Sequence, residues 1–179
     1  MVDARLARND IGHRPVGHLR SDCKLTEIEQ KEIERGSPTR PSIVARRLGF
    51  GGLIPFVGLA AALWLAPPAL RPLAGAALLG YGATICSFLG AIHWGLSMRD
   101  PTAPAVSSLL WGVTPSLLGW VALLLGAAPG LLLIAATLCA CFAVDRVLYP
   151  RHRVEAWLPL RARLTLVATL SCLVGAAAI

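Results

Sequence analysis

The chain has 179 residues, of which 55% are hydrophobic and only 15% charged, with a mean hydropathy of +0.63 and a formal charge of +7. That balance leaves too little polar surface for a water-soluble domain of this size and points to a membrane protein. The pI near 9.8 does not signal nucleic acid, because residues 1–47 hold ten Lys or Arg against seven Asp or Glu, with no Phe, Tyr or Trp to stack on a base.

Residues 1–47 read as a polar, partly disordered tail. Within it, "LTEIEQKEIERGSP" is compatible with one short helix. Thr26 stands at capping-box spacing from Glu29, Glu27 and Lys31 form an i, i+4 pair, and Gly36 and Pro38 would end the helix. Beyond the tail, the seven basic and three acidic residues are scattered among apolar runs. A helix needs about 20 apolar residues to cross a bilayer. Five segments meet that need: about 48–66, ended by "APPALRP"; about 73–98, ended by "RDP"; about 105–125, ended by "GAAPG"; about 131–149; and about 164–179. The pattern predicts an all-α integral membrane protein, a five-transmembrane-helix bundle behind an N-terminal tail. Short Pro- and Gly-marked connections make sequential helices antiparallel. The first apolar run starts near Leu48, too far along for a secretory signal peptide.

Basic residues near the helix ends set the expected orientation. Arg46, Arg47, Arg99, Arg146, Arg151, Arg153, Arg161 and Arg163 fall on one side and Arg71 alone on the other. This places the N-terminus in the cytoplasm and the C-terminus outside. The connection "PRHRVEAWLPLRAR" is expected to lie on the inner surface, with Arg151, Arg153, Arg161 and Arg163 meeting anionic lipid and Trp157 entering the headgroup region. Cys86, Cys139, Cys141 and Cys172 lie inside apolar runs at mid-membrane depth and read as small apolar fillers.

Polar residues inside the spans are few and costly. In the second helix Gly82, Cys86, Gly90, His93 and Ser97 share one face. The stripe Gly82, Cys86, Gly90 lets another helix approach closely, and His93 continues it, about 9 Å from the inner end. In the fourth helix Thr137, Cys141 and Asp145 share a face, and Asp145 reaches a similar depth. The third helix starts on the same side with Ser108 and Trp111, and Pro115 frees the Trp111 carbonyl. These placements predict one polar layer near the inner leaflet, built from His93, Trp94, Ser108, Trp111, Asp145, Arg146 and Tyr149. Two main readings stay open. The layer is a buried network in which Asp145 pairs with an arginine or with His93 and fixes helix packing, or it is a pocket for a lipid headgroup or a quinone. One membrane histidine is a poor basis for a metal or haem site, so no metal and no resident cofactor is expected. No hydrolase, P-loop or dinucleotide motif occurs, and no catalytic residue is assigned.

The segments "LGFGGLIPFVGLA", "YGATICSFLGAIHWG", "WGVTPSLLGWVALL" and "LPLRARLTLVATLSCL" follow one another as in a bacterial inner-membrane family, the domain of unknown function 3429 family, which has a mitochondrial relative. The resemblance covers about residues 48–175, and "SFLGAIHWG" is its most specific part. It implies a small five-helix inner-membrane protein with no assigned activity. The resulting expectation is a non-enzymatic subunit or assembly factor of a larger membrane complex, in an energy-converting, respiratory setting by analogy, with membrane lipids and another membrane protein as partners. The alternative is a lipid- or quinone-binding protein built on the layer around His93 and Asp145.

Overall fold

The computed structural model describes residues 40–99 and 106–179, which contain helices and no strand. Ser42 caps the first helix, α1 (Ile43–Gly51), by accepting the Ala45 N–H at 3.1 Å. The ladder breaks at Gly52 and resumes as α2 (Leu53–Leu65). Pro55 causes the break, since it has no N–H for the Gly51 carbonyl. The Tyr81 hydroxyl braces the bend by donating to the Gly52 carbonyl at 2.8 Å. The longer helices follow as α3 (Arg71–Arg99), α4 (Val106–Leu125), α5 (Ala127–Arg151) and α6 (Leu158–Ala176), with 3-10 turns at Pro68–Leu70 and Glu155–Trp157.

Five stretches are long and apolar enough to cross a membrane: Ile43–Leu65, Pro68–Arg99, Val106–Leu125, Ala127–Arg151 and Glu155–Ala176. At 1.5 Å per residue α3 is about 44 Å long, more than the roughly 30 Å of a hydrocarbon core. Arg71 and Arg99 at its ends therefore stand near the two membrane faces. Large apolar side chains cover the outside, among them Leu65, Leu48, Leu110 and Leu124, each more than half exposed. The molecule is an all-α membrane protein with its apolar surface turned to lipid.

Three spans differ in extent from the sequence reading, each for a local reason. The first begins at Ile43 rather than near residue 48, so Arg46 and Arg47 belong to α1. The fourth begins at Ala127 rather than Leu131. Pro129 falls in its first turn, where a missing N–H costs nothing, and Gly126 at φ 84° makes the reversal from α4. The fifth begins at Leu158 rather than Leu164, with Pro159 again in the first turn. The second and third spans match closely. The tail helix expected over 26–38 and the "RDP" break after Arg99 lie outside the described residues.

The core is packed from all five spans, with Phe56, Leu63, Leu78, Leu131, Ile134, Leu138 and three cysteines fully buried. Helix α3 sits centrally, against α2, α4, α5 and α6. Small residues set the close crossings, as lipid-embedded helices require. A Cβ on Gly82 would meet Ile134 of α5 at 2.8 Å, and one on Gly119 would meet the Ala83 carbonyl oxygen at 3.2 Å. Gly90 of α3 and Gly112 of α4 face each other so closely that a Cβ on Gly90 would run into the Gly112 carbonyl oxygen. The predicted stripe Gly82, Cys86, Gly90 is thus divided between two neighbours. At the end of the bundle that carries Arg71, Trp64 Nε1 donates to the Val174 carbonyl at 3.1 Å and ties α2 to α6. Trp64→Phe keeps an aromatic side chain, though a smaller one, and removes this bond. A loss of about 0.5–1.5 kcal/mol is expected, read as a lowered thermal midpoint of the detergent-solubilised protein.

Candidate functional site

Three ionisable side chains from three helices meet near the opposite, arginine-rich end. Asp145 lies on α5, two turns beyond Thr137 and one beyond Cys141, and is only 2% exposed. His93 of α3 sets Nε2 3.1 Å from Asp145 Oδ1. Arg161 of α6 donates to Asp145 Oδ2 through Nε at 2.9 Å and Nη2 at 2.6 Å. His93 is 2% and Arg161 8% exposed. An ionised carboxylate in hydrocarbon needs a counter-charge and donors. Arg161 supplies the charge with two donors, and His93 supplies a third. With His93 neutral the cluster has no net charge, and both carboxylate oxygens are occupied. Chemically it is a clasp that joins α3, α5 and α6.

The structure brings together part of the predicted polar layer. His93 and Asp145 pair, and Tyr149 is buried one turn further along the same face of α5. Ser97, one turn beyond His93, is buried too. Arg146 is not in the layer. It follows Asp145 by one residue, so it points about 100° away around the helix, and it is exposed. The arginine that binds Asp145 is Arg161, which the sequence reading assigned to the membrane surface together with Arg151, Arg153, Trp157 and Arg163. Arg151, Arg153 and Arg163 are exposed and Trp157 is half-buried. The difference follows from the early start of α6, which puts Arg161 inside a helix and turns it into the bundle.

Trp94 of α3, also in the predicted layer, makes a different contact. Trp94 is 40% exposed and donates Nε1 to the Leu109 carbonyl at 3.1 Å, which fastens α3 to α4 beside the Gly90–Gly112 crossing. Ser108 is buried on α4. Trp111 is half-buried, and its Nε1 has no partner among the described residues. Thr137 donates to its own helix at Leu133, 2.8 Å away. Cys86, Cys141 and Cys172 are buried in the core, whereas Cys139 is exposed with Sγ 3.7 Å from the Thr169 hydroxyl.

A groove of about 650 Å³ opens beside the clasp, between α1, α3 and α6. Sequence reasoning did not find it. It exists because α1 buries none of its residues while α2, past the bend, packs into the core through Phe56, Ala60 and Leu63. Its walls are apolar, with Phe56, Ile85, Leu89 and Leu164 among them. Its polar lining consists of Arg99, Tyr149, Trp157, Arg161 and Thr165. Thr165 is 7% exposed, and its hydroxyl has no partner among the described residues. His93 and Asp145 lie behind this lining rather than in it.

Five membrane-crossing helices, three of them joined by a buried His–Asp–Arg cluster, define a small polytopic α-helical membrane protein. The chain belongs to the family described as Protein of unknown function (DUF3429), which it matches over residues 41–177. It is also similar to Transmembrane protein 69 of Xenopus tropicalis, with 37% identity over 133 residues. That match takes in 72% of this chain and 51% of the relative, so the chain spans about half the length of the curated relative it matches. No solved structure matches the chain.

Proposed function

We propose that this protein is a non-enzymatic subunit or assembly factor that docks a transmembrane helix of another membrane protein. The observation that supports this reading is the outer face of α3. Ala77, Gly80, Thr84, Ser87, Ala91 and Gly95 recur at three- and four-residue spacing on one stripe, opposite the inward stripe of Gly82, Cys86, Gly90 and His93. A Cβ built on Gly80 or Gly95 would meet nothing within 4 Å, so their small size serves no packing inside the bundle. A face meant only for lipid has no need of small residues. The exposed side of α3 also carries Leu73, Phe88, Trp94 and Met98, with the small residues between them, whereas the outside of α4 is lined by Leu110, Val113, Leu117, Trp120 and Leu124. A second helix gains close backbone approach on the α3 stripe. The clasp agrees with a structural role, since it ties α3, α5 and α6 together through Asp145.

In this reading the arginine-rich end faces the cytoplasm of a bacterial inner membrane, following the bias of basic residues. The respiratory setting is carried over from the resemblance to a family with a mitochondrial relative. The test is gentle extraction from native membranes, followed by size separation and crosslinking. Wild type is expected in a particle larger than itself with a distinct membrane-protein partner. The double variant Gly80→Leu, Gly95→Leu is expected to leave that particle with no fall in its own thermal midpoint, since leucine is favoured over glycine in an open helical position. A wild-type protein that runs as a free protomer with no crosslinked partner would sink the proposal, and self-association alone would replace the partner with a second copy.

A further inference from the structure

We propose that the groove between α1, α3 and α6 is a binding site for a single-chain amphiphile with an anionic oxygen headgroup. This proposal rests on observations independent of the outer face of α3. The first is a graded lining. Arg99, Arg161 and Tyr149 lie toward the arginine-rich end of the bundle, while Phe56, Leu138 and Ala168 lie further along toward its middle. An apolar wall with a few convergent polar groups, at about 650 Å³, is the usual form of a small-molecule site. The polar end matches a headgroup near the membrane surface, and the apolar end matches a chain directed into the bilayer.

The second observation concerns which polar groups face the groove. Arg161 gives Nε and Nη2 to Asp145. Its side chain also lines the groove. Thr165, one turn along the same face of α6, is more than nine-tenths buried and lines the groove with an unpartnered hydroxyl. Arg99 lines it from the end of α3. Neither guanidinium can accept a hydrogen bond, and among the described residues no carboxylate lines the groove. A buried hydroxyl without a partner is costly, and a ligand oxygen would satisfy it. An acceptor carrying negative charge fits this set of donors best, because arginine binds carboxylate and phosphate oxygens through paired N–H groups. Asp145 acts here as a positioning residue, since it fixes the guanidinium that meets the ligand. Carboxylate and phosphate share this chemistry.

The test uses the full-length protein in a neutral detergent and compares three probes: hexadecanoic acid, a single-chain lysophosphatidic acid and hexadecanol. Native mass spectrometry and displacement of a fluorescent fatty acid give the affinities. One or both acids are expected to bind at least about tenfold more tightly than the alcohol. The tighter of the two identifies the headgroup. Thr165→Val and Arg99→Gln are each expected to weaken the acid several-fold with little change in the thermal midpoint. Arg151→Gln, at an exposed arginine outside the groove lining, is expected to bind as wild type does. The proposal is overturned if the alcohol or an alkyl benzoquinone binds as tightly as the acids. Binding that is unchanged in both groove variants, or weakened equally by Arg151→Gln, overturns it as well.

Discussion

Asp145→Ala is expected to destabilise the bundle by about 3–5 kcal/mol, the usual cost of leaving one member of a buried ion pair alone. The variant strands the Arg161 guanidinium, which is 8% exposed, and removes the acceptor that His93 faces at 3.1 Å. Arg161→Ala is expected to cost a similar amount, because it leaves an ionised carboxylate with only His93 beside it. His93→Ala removes one donor and leaves the ion pair intact, so its cost is expected nearer 1–3 kcal/mol. The decisive comparison is the double variant Asp145→Leu, Arg161→Leu. Apolar replacement of both partners of a buried pair is often neutral or stabilising. The double variant is therefore expected to be more stable than either single alanine variant. The single variants Asp145→Leu and Arg161→Leu close the cycle, and a coupling energy above about 2 kcal/mol is expected in it. Thermal unfolding in a neutral detergent, followed by circular dichroism, measures every variant. Additive losses would show that the residues do not act as one clasp.

This clasp was half legible in the sequence. His93 and Asp145 stood out because each is an ionisable residue on an otherwise apolar helix, and helical spacing put both on inward faces at one depth. The arginine that completes the cluster was not legible in the same way. Arg161, Arg163 and Pro159 resemble a basic loop, and hydropathy alone starts the last helix only where the charges end. Periodicity held the missing signal. Arg161, Thr165, Ala168 and Cys172 are spaced by four, three and four residues and are all buried. Arg163 lies about 200° around from Arg161 and is exposed. A helix extended back through Pro159 turns Arg161 inward and Arg163 outward. Arg146 drew attention as a neighbour in sequence, but adjacent residues on a helix never share a face.

The number of spans was readable because hydrocarbon imposes a length on any helix that crosses it. The groove was not readable. It depends on the angle at which α1 leaves α2, set by Pro55 and by the bond from Tyr81 to the Gly52 carbonyl. Those two features come from different helices, and no pattern within one segment relates them. The same limit applied to the close helix crossings. The stripe on α3 announced that something packs against it, but the partner residues Gly112 and Ile134 lie on two other helices.

The Gly90–Gly112 crossing gives the second large effect. Gly90→Ala is expected to destabilise the protein by about 1–3 kcal/mol, as overpacking of a tight contact does. The added Cβ would run into the Gly112 carbonyl oxygen, with the carbonyl carbon at 3.2 Å and Pro115 Cδ at 3.5 Å. Backbone atoms cannot swing aside as a side chain does, so α3 and α4 must separate. The bond from Trp94 Nε1 to the Leu109 carbonyl, 3.1 Å long, spans the same gap and is expected to break with it. Gly58→Ala isolates this steric effect. Gly58 lies on α2, and a Cβ there meets nothing within 4 Å. In a helix interior, alanine is favoured over glycine by about 0.5–1 kcal/mol. The same chemical change is therefore expected to stabilise at Gly58 and destabilise at Gly90. Opposite shifts in the thermal midpoint would tie the loss to the crossing itself. If Gly90→Ala also stabilised, α3 and α4 would have room to spare, and the stripe of small residues would not be what holds them together.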